Sequence, residues 1–166
     1  MLDRREFLKL AATLSTAFAI TNLPGPVKAA LKKLDPKSIP KLIYLQGQSC
    51  TGCSISLLQA ESPSAATMIT KYSQLAFHAD LSAISGKKAL ELIDSFISGQ
   101  AGEYILAVEG AIPYKMPEAC MIGHKTFAQH LEEASRTMTA AVAIGACACD
   151  GGIPSAEGNL TGAIGL

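Results

Sequence analysis

Two cysteines three positions apart carry the first chemical signal, in Gln48-Ser49-Cys50-Thr51-Gly52-Cys53-Ser54. An apolar run, Leu42-Ile43-Tyr44-Leu45, precedes them and reads as a buried strand. Ile55-Ser56-Leu57-Leu58-Gln59 follows and reads as the start of a helix. Thiolates at this spacing, on a loop near a helix N-terminus, suit a soft metal or dithiol redox chemistry. The chain has 5 cysteines, an odd number that argues against a simple disulfide framework. Cys50, Cys53 and Cys147 could supply three thiolates, with Cys149 as an extra and Cys120 in a loop after Pro117. Four readings stay open on the residues alone. An iron–sulfur cluster gathers four cysteines from separate loops. A redox dithiol needs only Cys50 and Cys53. Zinc wants two close pairs, and the Cys147-x-Cys149 spacing is tight for the second. Inert thiols are the fourth reading.

The elements that must position these residues follow from hydrophobic pattern and breakers. Strands are expected at Lys41 to Gln46, Gln74 to His78, Tyr104 to Glu109 and Thr139 to Ile144. Helices are expected over Cys53 to Ala60, Lys87 to Ser98 and Thr126 to Arg136, with one or two further turns over Ala65 to Lys71. In the second of these, Ala89, Leu90, Ile93 and Ile97 share one face, and Gly99 is a plausible stop. The last strand ends at Gly145-Ala146-Cys147, and the tail after it, with Gly151-Gly152, Pro154, Gly158 and Gly162, reads as loop. Strands alternate with helices, and the best strands are apolar on both faces, which predicts a parallel sheet covered on both sides. Cys50 and Cys53 follow the first strand, Glu109 ends the third and Cys147 follows the fourth. Open parallel sheets build their sites at the carboxyl ends of strands, near a switch point. Three distant stretches are therefore expected to converge on one edge.

The 166 residues predict one domain plus an N-terminal extension. Apolar residues make up 49% of the chain, enough to bury a core, and the formal net charge of zero gives no sign of nucleic-acid binding. The extension has its own pattern. Arg4-Arg5-Glu6-Phe7-Leu8-Lys9 precedes a mildly apolar stretch, Leu10 to Ile20, that is too short to span a membrane. Val27-Lys28-Ala29 then offers small residues for cleavage. This resembles a twin-arginine export signal over residues 1–29, followed by a linker over 30–40. That route carries folded proteins, often with a cofactor already inserted, which fits a metal at Cys50 and Cys53 better than a disulfide.

Three further stretches carry a family resemblance. Gln48 to Ser54, then Ala107-Val108-Glu109-Gly110-Ala111-Ile112-Pro113, then Gly145-Ala146-Cys147-Ala148-Cys149-Asp150-Gly151-Gly152-Ile153-Pro154 resemble the small subunit of nickel–iron hydrogenases, in that family's order. Asn159-Leu160-Thr161-Gly162-Ala163 is similar to the family's Asn-Pro-Thr-Gly-Ala, with Leu160 in place of proline. The resemblance implies a flavodoxin-like α/β domain over residues 41–166 that carries a proximal [4Fe–4S] cluster. It implies Cys50, Cys53 and Cys147 as three of the cluster's ligands, Cys149 as a bystander and Cys120 as a packed loop thiol. Glu109 matches a family glutamate beside the cluster, where a carboxylate could bond the loop or assist proton movement. Implied partners are a large subunit holding the nickel–iron site, an electron acceptor such as a cytochrome, and the twin-arginine translocase. The implied location is the periplasm, with membrane association through partners.

The family's small subunits are much longer. Their fourth proximal ligand and their medial and distal cluster ligands lie beyond the equivalent of Leu166, so the domain is expected to be incomplete at its C-terminus. Three rivals stand beside the leading reading. One is the related subunit of a quinone-reducing complex, in which adjacent cysteines would be expected. Another is an exported thiol–disulfide protein that uses Cys50 and Cys53 and has no need of Cys147. The last is a truncated remnant without function. His78 reads as structural, and His124 and His130 read as surface or cap residues. Gly151-Gly152 is no phosphate loop, since no Lys-Ser/Thr follows.

Overall fold

A computed structural model describes residues 39–166. The expected signal peptide and most of the linker lie outside the described residues. In chain order the elements are β1 (Lys41–Gln46), α1 (Gly52–Leu58), one turn α2 (Ala65–Thr67) running into a π-helical turn Met68–Tyr72, and β2 (Gln74–His78). Then come α3 (Gly86–Ile97), β3 (Tyr104–Glu109), β4 (Ile112–Pro113), β5 (Met121–Ile122), β6 (Lys125–Thr126), α4 (Phe127–Ala134), β7 (Ala140–Ile144), α5 (Gly145–Asp150) and β8 (Ala163–Ile164).

Four strands form one parallel sheet in the order β2-β1-β3-β7. This is the start of the flavodoxin-like order, whose switch point lies between β1 and β3. Gln46 of β1 pairs with Glu109 of β3, and Glu109 pairs with Ile144 of β7. The three loops that carry the cysteines and the glutamate thus leave the sheet at one level.

Alternation sorts the two faces. Ile43, Leu45, Phe77, Tyr104, Leu106 and Val108 join Ile93, Phe96 and Ile97 of α3 and Phe127, Leu131 and Ala134 of α4 in one buried apolar cluster. On the other parity, Gln46, His78 and Glu109 meet α1 through Ser54, and Tyr44 donates to Glu109. Helices therefore cover both faces, as expected. The second face is not apolar at the site end, however. It holds a set of bonded polar groups.

The structure corrects several expectations. Gly145 to Asp150 is helix, in place of the expected strand end and the first part of the loop-like tail, so Cys147 and Cys149 lie on α5. Its interior residue Ala148 is fully buried in the core, and Gly151, at φ 91°, ends the helix in the left-handed region that favours glycine. His130 is buried, not a surface or cap residue, and bonds the Ile122 carbonyl at 3.0 Å. The helix expected to start at Thr126 begins one residue later and stops at Ala134, because Thr126 is its cap. The tail is also tied down. β8 pairs antiparallel with β4, the Leu166 N–H donates to the Ala148 carbonyl at 2.8 Å, and Asn159 brackets Ala163 with bonds of 2.7 and 3.1 Å.

Candidate functional site

The loop between β1 and α1 starts with the Gly47 N–H on the Glu109 carbonyl at 2.8 Å and continues with Gln48 bridged to Ala111. The β1 and β3 loops are thus stitched together before either cysteine is reached. Thr51 then takes φ 64°, the one positive φ at a non-glycine residue among the described residues. Such strain persists where surrounding contacts over-determine the backbone, often at functional loops. Thr51 caps α1 in position only, since its side chain makes no cap bond.

Glu109 supplies what Thr51 does not. Its carboxylate is 1% exposed. Oε1 accepts the Cys53 backbone N–H at 3.3 Å, in the first turn of α1. Oε2 accepts the Ser54 hydroxyl at 2.6 Å and the Tyr44 hydroxyl at 2.7 Å. Burial alone would favour the neutral acid, but the bonds from Ser54, Tyr44 and the Cys53 amide outweigh it and hold the carboxyl below the ordinary glutamate range. A carboxylate at a helix N-terminus is also favoured by the helix dipole. Burial, followed by the bond to Glu109, pushes the Tyr44 phenol well above its usual value, so it remains a donor.

The expected cysteines fall on two converging segments. Cys50 and Cys147 line one cavity of about 290 Å³, together with Gln48, Ser49, Ile153 and Pro154. Cys53 lies beside them. A side chain at Gly145, the first residue of α5, would collide with its sulfur. A side chain at Gly152 would meet the Cys147 sulfur at 2.8 Å. Two glycines thus leave room where two of the sulfurs sit. Burial first, then the charges of Glu109, Cys50, Cys147 and Cys149, raises the Cys53 thiol. Cys149 is exposed, and Cys120 is half-buried against the apolar core with its thiol raised by burial. All five cysteines are free.

Among the described residues no three His, Cys, Asp or Glu side chains stand close enough to hold one metal ion. A four-iron cluster takes its thiolates one to an iron, so its ligands stand further apart than those of a single ion. The donor set fits that group in part: Cys50 and Cys147 line a mostly apolar cavity and the Cys53 sulfur lies against Gly145, with space kept by glycine. Sequence reasoning missed the groups behind them, namely Ser54, Tyr44, Gln46 and His78. The parity of Tyr44, Gln46 and Glu109 on paired strands was the available signal.

The family model described as NADH ubiquinone oxidoreductase, 20 Kd subunit, matches residues 50–165. The Hydrogenase-2 small chain of Escherichia coli K12 is 32% identical over 166 residues, covering 99% of this chain and 44% of that protein. The chain belongs to the hydrogenase small-subunit family. The Periplasmic [NiFeSe] hydrogenase small subunit of Desulfomicrobium baculatum is 36% identical, covering 97% of this chain and 54% of its own length. The recombinant [NiFeSe] hydrogenase of Desulfovibrio vulgaris Hildenborough superposes with a TM-score of 0.73 at 34% identity, covering 79% of this chain and 48% of that one. The chain therefore spans about half the length of these small-subunit relatives. The quinone-reducing rival shares the family model, and the relatives matched along almost the whole chain stand on the hydrogenase side.

Proposed function

We propose that this domain is the electron-transfer part of a nickel–iron hydrogenase small subunit, with Cys50, Cys53 and Cys147 as ligands of a proximal [4Fe–4S] cluster. The observation that carries the reading is the meeting of Cys50 and Cys147 in one cavity, with the Cys53 sulfur against Gly145. A cluster held there supplies one-electron capacity. The chain's own residues do the rest. Glu109 secures the Cys53 amide, Gly145 and Gly152 leave space for two sulfurs, and Ile153 and Pro154 line the cavity with apolar groups. In this reading hydrogen is split on a large subunit, and electrons are handed on to an acceptor such as a cytochrome; among the described residues no group of three metal-ligating side chains stands together. Twin-arginine export to the periplasm is supported by Arg4-Arg5-Glu6-Phe7-Leu8-Lys9 and by the periplasmic relative. Among the described residues no helix is long and apolar enough to cross a membrane.

The test is reconstitution of the full chain with iron and sulfide, alone and with its large subunit. Cys50→Ser, Cys53→Ser and Cys147→Ser should each lose the iron–sulfur absorbance, while Cys120→Ser and Cys149→Ser keep it. The dithiol rival expects full thiol–disulfide activity in iron-free Cys147→Ser. An unchanged spectrum in Cys147→Ser would overturn the ligand set.

A further inference from the structure

The bonds that hold Glu109 have a second row behind them. His78, at the end of β2, is 1% exposed and stacks on the Tyr44 ring at 4.1 Å. Its Nε2 lies 3.2 Å from the Ser54 hydroxyl oxygen. Its Nδ1 accepts the Asp80 backbone N–H at 3.1 Å. A ring nitrogen that accepts carries no proton, so the neutral ring has its N–H on Nε2 and donates to Ser54. The Gln46 amide has two protons and directs them to the Asp80 carboxylate at 2.5 Å and to the same Ser54 oxygen at 3.1 Å, with Glu109 Oε2 a longer third contact at 3.4 Å.

A hydroxyl has one proton and two acceptor sites. With both acceptor sites of Ser54 occupied by His78 and Gln46, its single proton goes to Glu109 Oε2 at 2.6 Å. The donors run one way, from Asp80 N–H through His78 and Ser54 to Glu109. His78 also braces the other hydroxyl on Oε2, through its stack with Tyr44. Resting on the cluster reading above, we propose that His78 is a positioning residue that orients Ser54 and, through Glu109, fixes the Cys53 end of the ligand loop. Burial lowers the His78 pKa against the opposing pulls of Asp80 and Glu109, which agrees with a neutral ring. Packing alone would not need a donor on this face, and that difference makes the idea testable.

The readout is hydrogen exchange at the Cys53 backbone amide in the iron-free full chain, followed by NMR. His78→Phe keeps the ring and its stack but removes the donor, and it should speed exchange at Cys53 about tenfold, the cost of a weakened hydrogen bond. His78→Gln restores an N–H donor and should hold exchange within about twofold of the unaltered chain. Ser54→Ala should match His78→Phe, and His78→Phe should add nothing in a Ser54→Ala background, as for residues acting along one path. With iron and sulfide bound, His78→Phe should also shift the reduced-state EPR g-values, whereas His78→Gln should not. Unchanged Cys53 exchange in His78→Phe would reduce His78 to a packing residue. Should that variant fail to fold, unchanged exchange in Ser54→Ala overturns the proposal by itself. Failure of the unaltered chain to take up iron counts against the cluster reading alone, because the amide measurement needs no metal.

Discussion

Glu109 is a strand residue that acts as a helix cap. Thr51 stands at the N-terminus of α1 without a cap bond, and the carboxylate from β3 takes the Cys53 N–H instead. The cap is therefore tertiary, and it ties the Cys50–Cys53 loop to the sheet. Because the folded carboxyl is held below its ordinary range, its contribution is full above the unfolded value of about 4.3. It is lost as pH falls through the lower folded value. In denaturant titrations, Glu109→Gln should cost about 1–3 kcal/mol near pH 7 and should flatten the loss of stability on acidification. A Gln variant as acid-sensitive as the unaltered chain would show that folding leaves the Glu109 carboxyl unshifted. At this scale the thiols and Glu109 are legible in the sequence because their types are rare and sit at strand ends. Ser54, Tyr44 and His78 look like ordinary sheet and helix residues, and only the pairing of Gln46 with Glu109 reveals their shared face.

Regular elements follow from pattern, and irregular ones do not. β1, β2 and β3 are legible to the residue, since each is a short run bounded by breakers. The apolar face of α3 is legible at Ala89, Ile93 and Ile97, with Phe96 joining them at helical spacing. α5 hides because glycines flank it on both sides, and only the burial of Ala148 and the Leu166 bond commit it to helix. Two-residue strands such as β4 and β8 have no period to read. α4 shows a signal that was present and unread. Thr126-Phe127-Ala128-Gln129 is a capping box: the Gln129 N–H donates to the Thr126 hydroxyl at 3.2 Å, and the Thr126 N–H donates to the Gln129 side chain at 2.8 Å. Thr126→Ala should lower unfolding free energy by about 1 kcal/mol and shift the urea midpoint without altering iron content. An unmoved midpoint would mean that the packing of Phe127 and Leu131 alone holds the helix start.

On the scale of the whole molecule, the sheet order delivers the chemistry to one end and leaves apolar surface beside it. Ile153 on the cavity wall is 84% exposed, and Leu160 on the tail loop is 86% exposed. Tyr114 and Met116, whose backbones bond the same tail at Gly162 and Thr161, are exposed too. Single exposed apolar residues are ordinary, but several on bonded segments, with Ile153 on the cavity wall, would suit a contact surface. If electrons enter here from a large subunit, the entry face must be covered by that partner, and apolar side chains at its centre should dominate the affinity. Ile153→Asp and Leu160→Asp add charge to exposed positions and should leave the urea midpoint within about 0.5 kcal/mol. Each should nevertheless cut copurification with the large subunit by about tenfold or more. Lys88→Asp, on the exposed side of α3, is the control and should copurify normally. Should both apolar variants retain the large subunit at the level of this control, the partner must dock elsewhere, and the cavity at Cys50 and Cys147 would open to solvent instead.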